Sequence, residues 1–200
     1  MSLIEITGQE EEFTRAQRWS HALTLIVGLL TLLYGVNLRA NALNATVEYV
    51  NVRAGIRAHY PRHWLLDEVG DYVFRVRDMG RIGFKTTISI TVRPVGTNMT
   101  ERNVLDTLNI IRPRTLATYS ILSIGDYTLP DESLATVMTY TYVAVETNPF
   151  LESVPVVVVG QDILTLRGGQ AIVITFRADS LTFDQDLAIF NRFLENLEFE

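Results

Sequence analysis

The sequence predicts an α+β protein: a single N-terminal transmembrane helix followed by an antiparallel β-sheet flanked by helices. Three observations predict it. Residues 19–38 contain no acid, lysine or arginine. Several later segments alternate apolar and polar residues with the period of a strand. Two further segments, one mid-chain and one at the C-terminal end, repeat apolar residues at helical spacing. The expected divisions are a polar tail over 1–18, the transmembrane helix over 19–38, a linker over 39–53 and the α+β domain over 54–200.

At 1.5 Å per residue, the uncharged run forms a helix ~30 Å long, the thickness of a bilayer's hydrocarbon core. Trp19, Leu23, Leu25, Ile26, Val27, Leu29, Leu30, Leu32, Leu33 and Tyr34 supply its anchoring surface. Trp19 and Tyr34 suit the two interfaces, and Arg18 and Arg39 bracket the run. Gly28 and Gly35 lie a heptad apart and mark a face on which a second helix can pack closely. A cleaved export signal is the competing reading, because Ala40-Asn41-Ala42 has the small-x-small form of a cleavage site. The preceding leader, long and carrying Glu10, Glu11 and Glu12, is unlike a short basic signal leader, and a retained anchor is the favoured reading. Arg15 and Arg18 before the helix balance Arg39 and Arg53 after it, so flanking charge does not set the orientation. A leader much smaller than the domain that follows generally stays inside, which places the domain on the extracytoplasmic side of the cell membrane.

Within the domain, "NALNATVEYVNV" passes from linker into extended chain. "DYVFRVRD" and "TTISITVRPV" read as strands; in the second, Ile88, Ile90 and Val92 alternate with Ser89, Thr91 and Arg93. Thr100 is an N-cap for a helix from Glu101, with Val104, Leu105, Leu108 and Ile111 on its apolar face and Pro113 ending it. "TYSILSIGDYTL", "SLATVMTYTYVAVE" and "VPVVVVGQDILTLRGGQAIVITFRAD" are rich in β-branched and aromatic residues. Gly168-Gly169 is a two-residue hairpin turn. In the closing helix Thr182 and Gln185 have capping-box spacing, and Leu187, Phe190, Phe193, Leu194 and Leu197 form one stripe.

"IRAHYPRHWLL" resembles the opening of PsbP-like domains, with Tyr60, Pro61 and Trp64 as the sharpest matches. The strand pair ending "TISITVRPV", the mid-domain helix, the Gly168-Gly169 hairpin and the final helix follow in the same order. The resemblance covers about Ala54 to Phe199 and leaves the apolar helix outside. It implies an α/β/α sandwich and a role in binding or assembly; it implies neither a photosystem role nor a ligand set for any metal.

Composition excludes several chemistries. Without cysteine there is no disulfide framework, thiolate metal site or cysteine nucleophile. A net charge of −6 argues against a nucleic-acid partner. Charge is uneven: residues 53–114 carry eleven basic and six acidic side chains, residues 115–200 three and twelve. That pattern fits either an anion-docking face or two halves whose fields cancel by interleaving in one sheet.

His59 and His63 have the i, i+4 spacing of a helical metal pair, but Pro61 between them argues for extended chain and against a zinc or copper site. The carboxylate pairs Asp67/Glu68, Asp131/Glu132 and Asp184/Asp186 read as solvated turn acids. The last pair also sits where a helix dipole favours negative charge. Asp126 with Asp131 and Glu132 lacks the spacing of a calcium loop. No GxSxG elbow is present, and "RGGQ" lacks the lysine of a phosphate loop. Tyr140 and Tyr142 share a strand face with Met138, as core or as a protein-binding patch, with Tyr119 and Tyr127 on the preceding strand. The leading expectation is a non-catalytic, membrane-anchored accessory or assembly subunit without a cofactor, whose partners are membrane lipid and a larger membrane protein complex. An anchored extracytoplasmic binding module for a small hydrophobic or anionic ligand is the alternative, and a cryptic hydrolase the third.

Overall fold

The computed structural model describes residues 14–67, 69–96, 98–145 and 154–199, which form two compact units divided after Ala45. In the first, helix α1 runs from Arg15 to Asn44. A capping box starts it: the Thr14 hydroxyl accepts from the Gln17 amide, and the Gln17 side chain accepts from the Thr14 amide at 2.8 Å. The helix therefore begins before Trp19 and outlasts Leu38. Arg39–Asn44 contains neither glycine nor proline, so nothing interrupts the hydrogen-bond ladder where the uncharged run ends. The segment expected as a linker over 39–53 is instead helix to Asn44 and strand from Thr46.

The second unit contains β1 (Thr46–Asn51), β2 (Ile56–Pro61), β3 (Leu65–Asp67), β4 (Phe74–Arg77), β5 (Thr87–Pro94) and α2 (Glu101–Ile111). A 3-10 turn over Arg112–Arg114 follows, then β6 (Ala117–Thr128), β7 (Leu134–Ala144), β8 (Val156–Arg167), β9 (Gln170–Asp179), α3 (Phe183–Glu195) and β10 (Glu198–Phe199). The strands form two antiparallel sheets, one ordered β1-β2-β10 and the other β3-β4-β5-β9-β8-β7-β6.

Helices cover the large sheet on both faces. On one, Leu105 of α2 packs with Met138, Tyr140, Tyr142, Leu164 and Val173. On the other, Phe190 and Phe193 of α3 pack with Ile88, Ile90, Ile174 and Phe176, and Ile56, Ala58 and Tyr60 of β2 close the same cluster. Phe176 and Phe190 stack with centroids 4.8 Å apart. Strand β9, between the helices, buries both faces from Ala171 to Phe176, which is why it reads as a continuous apolar run.

The local signals form largely as expected. Gly168 and Gly169 adopt φ of 54° and 75°, the left-handed pair that a two-residue hairpin needs between β8 and β9. The Thr100 hydroxyl accepts from the Asn103 amide at 3.4 Å, and Pro113 lies in the 3-10 turn that ends α2. The capping box at Thr182 does not form. Thr182 has a helical backbone (φ −114°, ψ 0°), so its hydroxyl turns to the Asp186 carboxylate at 3.0 Å instead. Nor do the charged halves interleave: β3, β4 and β5 occupy one end of the large sheet and meet the later strands only where β5 pairs with β9.

Candidate functional site

In the first unit, Trp19, Leu23, Leu25, Ile26, Val27, Leu29, Leu30, Leu32, Leu33 and Tyr34 are all exposed along α1, which buries none of its residues. Its two threonines hydrogen-bond the helix's own backbone. The Thr24 hydroxyl donates to the Ser20 carbonyl at 2.9 Å, and the Thr31 hydroxyl to the Val27 carbonyl at 2.6 Å. Gly28 and Gly35 have open space where a Cβ would stand. Ser20, Thr24, Gly28, Thr31 and Gly35 recur at three- and four-residue intervals and so share one side of the helix.

In the second unit, Tyr60 and Trp64 are core residues. The Trp64 amide donates to the Pro61 carbonyl at 2.9 Å, closing the tight turn that ends β2, and both rings reach the cluster beneath α3. His59 sits half-buried on β2 opposite Glu48, while His63 is exposed in the turn. Among the described residues no group of three or more His, Asp or Glu side chains is placed to hold a metal.

Two buried carboxylates went unrecognised in the sequence. Asp162 on β8 is fully buried; it pairs with the Arg112 guanidinium and accepts from the Thr175 hydroxyl at 2.8 Å. Arg112 also lies over the Tyr140 ring, 4.2 Å from its centroid, and Tyr119 packs against that ring while donating to Asn109 at 3.1 Å. Burial, reinforced by the Asp162 charge, pushes the Tyr140 phenol far above its ordinary range, so it stays neutral. The network fastens the end of α2 to the sheet. Its signal was visible: Asp162 alternates inward within "VVVVGQDILTL", where no charge belongs unless it is paired. The tyrosines at 140 and 142 are thereby core, not surface.

Asp186 was expected in a solvated first turn and is instead 1% exposed. It pairs with Arg81 and accepts from the hydroxyls of Thr86 at 2.8 Å and Thr182 at 3.0 Å. Arg81 also approaches Asp78 at 3.5 Å, and the Lys85 ammonium donates to the Arg81 carbonyl. These contacts pin the β4–β5 loop to the first turn of α3. Asp184 is exposed, as expected.

Two further carboxylates, Asp67 and Asp131, also have partners. Asp67 is held by Arg75 and Arg77, and the Arg75 hydrogen bond brings its carboxyl down to about 2. Partial burial opposes ionisation of Asp131, but Ser133 and Arg167 outweigh it and hold that carboxyl at about 2 as well. Glu68 lies outside the described residues. Two adjoining cavities of about 420 and 500 Å3 share Tyr72, Val73 and Val92, with Asp71 and Arg93 lining the first and Arg53 the second. A third, of about 570 Å3, lies between α2 and β6 and carries Glu101, Asp106 and Asp126 beside Arg102.

No protein-family model and no curated sequence matches the chain. Solved structures do. Cyanobacterial PsbP (CyanoP) from Synechocystis sp. PCC 6803 superposes with a TM-score of 0.57 at 11% identity, covering 78% of this chain and 93% of that one. The Saccharomyces cerevisiae Ran-binding protein Mog1p superposes with a TM-score of 0.50 at 10% identity, covering 78% and 95%. The second unit has the PsbP-like fold, and the chain before it contains one helix long and apolar enough to be a membrane anchor or a signal sequence.

Proposed function

We propose that the protein is a non-catalytic accessory or assembly subunit, anchored by α1 with its domain on the extracytoplasmic side and docking on a larger membrane protein complex. The observation that carries this reading is the side of α1 formed by Ser20, Thr24, Gly28, Thr31 and Gly35. Small residues let a second helix approach its backbone, and both threonine hydroxyls are already satisfied within the helix. The opposite surface of leucine and isoleucine suits lipid. Both structural neighbours cited above are compatible with such a role.

Extraction in a mild detergent followed by native electrophoresis tests it. The full chain migrates with a larger assembly, and Gly28→Ile with Gly35→Ile releases it without altering the fold of the domain. Migration of the wild type solely as a monomer would overturn the reading. The paired cavities at Tyr72 support a second reading, an anchored module for a small anionic ligand, because Arg53 and Arg93 line them and neither forms an ion pair among the described residues. Native mass spectrometry of the purified chain distinguishes it: a retained anionic adduct supports it and a clean apo mass removes it.

A further inference from the structure

We infer that one end of the PsbP-like domain is itself a membrane-contacting face, with Ile82 and Leu181 as the tips that enter the lipid headgroup region. The inference rests on α1 being a retained anchor. Strand register defines that end. Thr46, where β1 begins, pairs with Pro61, and the tight turn through Arg62 and His63 leads directly to Leu65. Leu65 pairs with Arg77, Arg77 with Thr87, and Thr87 with Arg177. The β4–β5 loop and the β9–α3 connection therefore emerge beside the start of β1.

These connections carry large apolar side chains outward. Ile82 is 101% and Leu181 88% exposed, and Leu65 and Met79 are half exposed beside them. They are also held in place. Arg81, Lys85 and Thr86 tie the β4–β5 loop to itself and to Asp186, and the Leu181 amide donates to the Asp179 carboxylate at 2.9 Å. A tethered loop cannot fold Ile82 back onto the core, so the buried Asp186 cluster fixes the tip facing outward. Arg62, exposed in the neighbouring turn, adds a cation suited to phosphate headgroups.

The opposite end also exposes apolar residues, Val52, Val69 and Leu134 among them, so exposure alone does not choose between the ends. The chain connection does. Ala45 alone separates Asn44 from Thr46, which limits their Cα atoms to at most ~8 Å apart. The thirty residues of α1 span ~45 Å, the thickness of a bilayer with its headgroups. After Leu38 the helix continues through Arg39–Asn44 for ~9 Å, enough to cross one headgroup layer. Strand β1 then begins at the headgroup surface, and the loops that share its end begin there too. Exposed apolar tips in that position gain from entering the interface.

The chain lacks cysteine, so single labels can be placed cleanly. Five full-length variants, Ile82→Cys, Leu181→Cys, Val52→Cys, Leu134→Cys and Val27→Cys, are labelled with an environment-sensitive fluorophore and reconstituted in phosphatidylcholine nanodiscs. Lipids carrying a nitroxide on the headgroup or on the acyl chain are the quenchers. The expected result is headgroup quenching at positions 82 and 181 several-fold stronger than at 52 and 134, with acyl-chain quenching at 27. Quenching at 27 with equal or weaker headgroup quenching at 82 and 181 than at 52 and 134 overturns this inference alone, and assigns the tips to water or to a protein partner. Absence of lipid quenching at 27 overturns the anchor and this inference together.

Discussion

Replacing Gly160 with alanine places a methyl group against the buried ring of Tyr140. Gly160 stands between Tyr140 on β7 and Arg177 on β9 in the strand register. An added Cβ would lie 2.5 Å from Tyr140 Cε2 and 2.6 Å from its hydroxyl oxygen. Ordinary carbon contacts are about 3.5–4.0 Å, so the ring must retreat by roughly 1 Å. It has little room: Tyr140 is 1% exposed, the Arg112 guanidinium lies 4.2 Å from its centroid and the Tyr119 ring 5.4 Å. Overpacking of this kind costs about 1–3 kcal/mol, and about 3–5 kcal/mol if the shift unseats Arg112 from Asp162. Urea unfolding of the chain in a Trp19→Phe background, followed by the fluorescence of buried Trp64, measures it. At an m of about 1–3 kcal/mol/M the midpoint falls by roughly 0.5–2 M with m unchanged. In a Tyr140→Leu background the same glycine change should cost less than about 0.5 kcal/mol, because the colliding ring atoms are gone. A loss below about 0.5 kcal/mol with Tyr140 intact would refute the reasoning.

The Arg112–Asp162 pair is expected to matter for what remains when it is broken. Asp162→Ala leaves a buried guanidinium unpaired and costs about 3–5 kcal/mol, whereas Arg112→Met with Asp162→Leu recovers most of that loss; thermal unfolding of the three proteins checks the order. Stability should also fall in acid with a defined sign. Asp67 and Asp131 hold their carboxyls at about 2, so the unfolded chain binds protons first as pH drops. Their contribution is complete above about pH 4 and is lost between about pH 4 and 2. Asp67→Asn should flatten that part of the pH–stability curve, and an unchanged curve would show that the Arg75 pairing contributes nothing to it.

Local interactions account for what could be read before the structure. The Gly168-Gly169 turn, the Thr100 cap and the stop at Pro113 depend on a few adjacent residues, and each formed where expected. Helix α1 extends beyond the uncharged run at both ends because that run marks only what suits lipid. Its hydrogen-bond ladder continues through Arg39–Asn44, where nothing breaks it. Thr182 failed as a cap because a carboxylate one turn on, drawn inward by Arg81 and Thr86, captured its hydroxyl. Of the two readings of the uneven charge, interleaving does not occur, because strand order follows hydrogen-bond pairing, which the charge pattern does not encode.

The sequence by itself determined the apolar helix and the α+β class, and it carried the resemblance to PsbP-like domains at Tyr60, Pro61 and Trp64. The first two follow from periodicity and from spacing within a few residues, whereas the burial of Tyr60 and Trp64 became visible only in the fold. Only the tertiary structure decided which acids are buried, since Asp162 and Asp186 meet their arginines 50 and 105 residues away, where no local pattern reaches. It likewise decided that Ile82, Leu181 and the start of β1 share one end of the domain. Strand register sets that proximity, and register exists only once the sheet has formed.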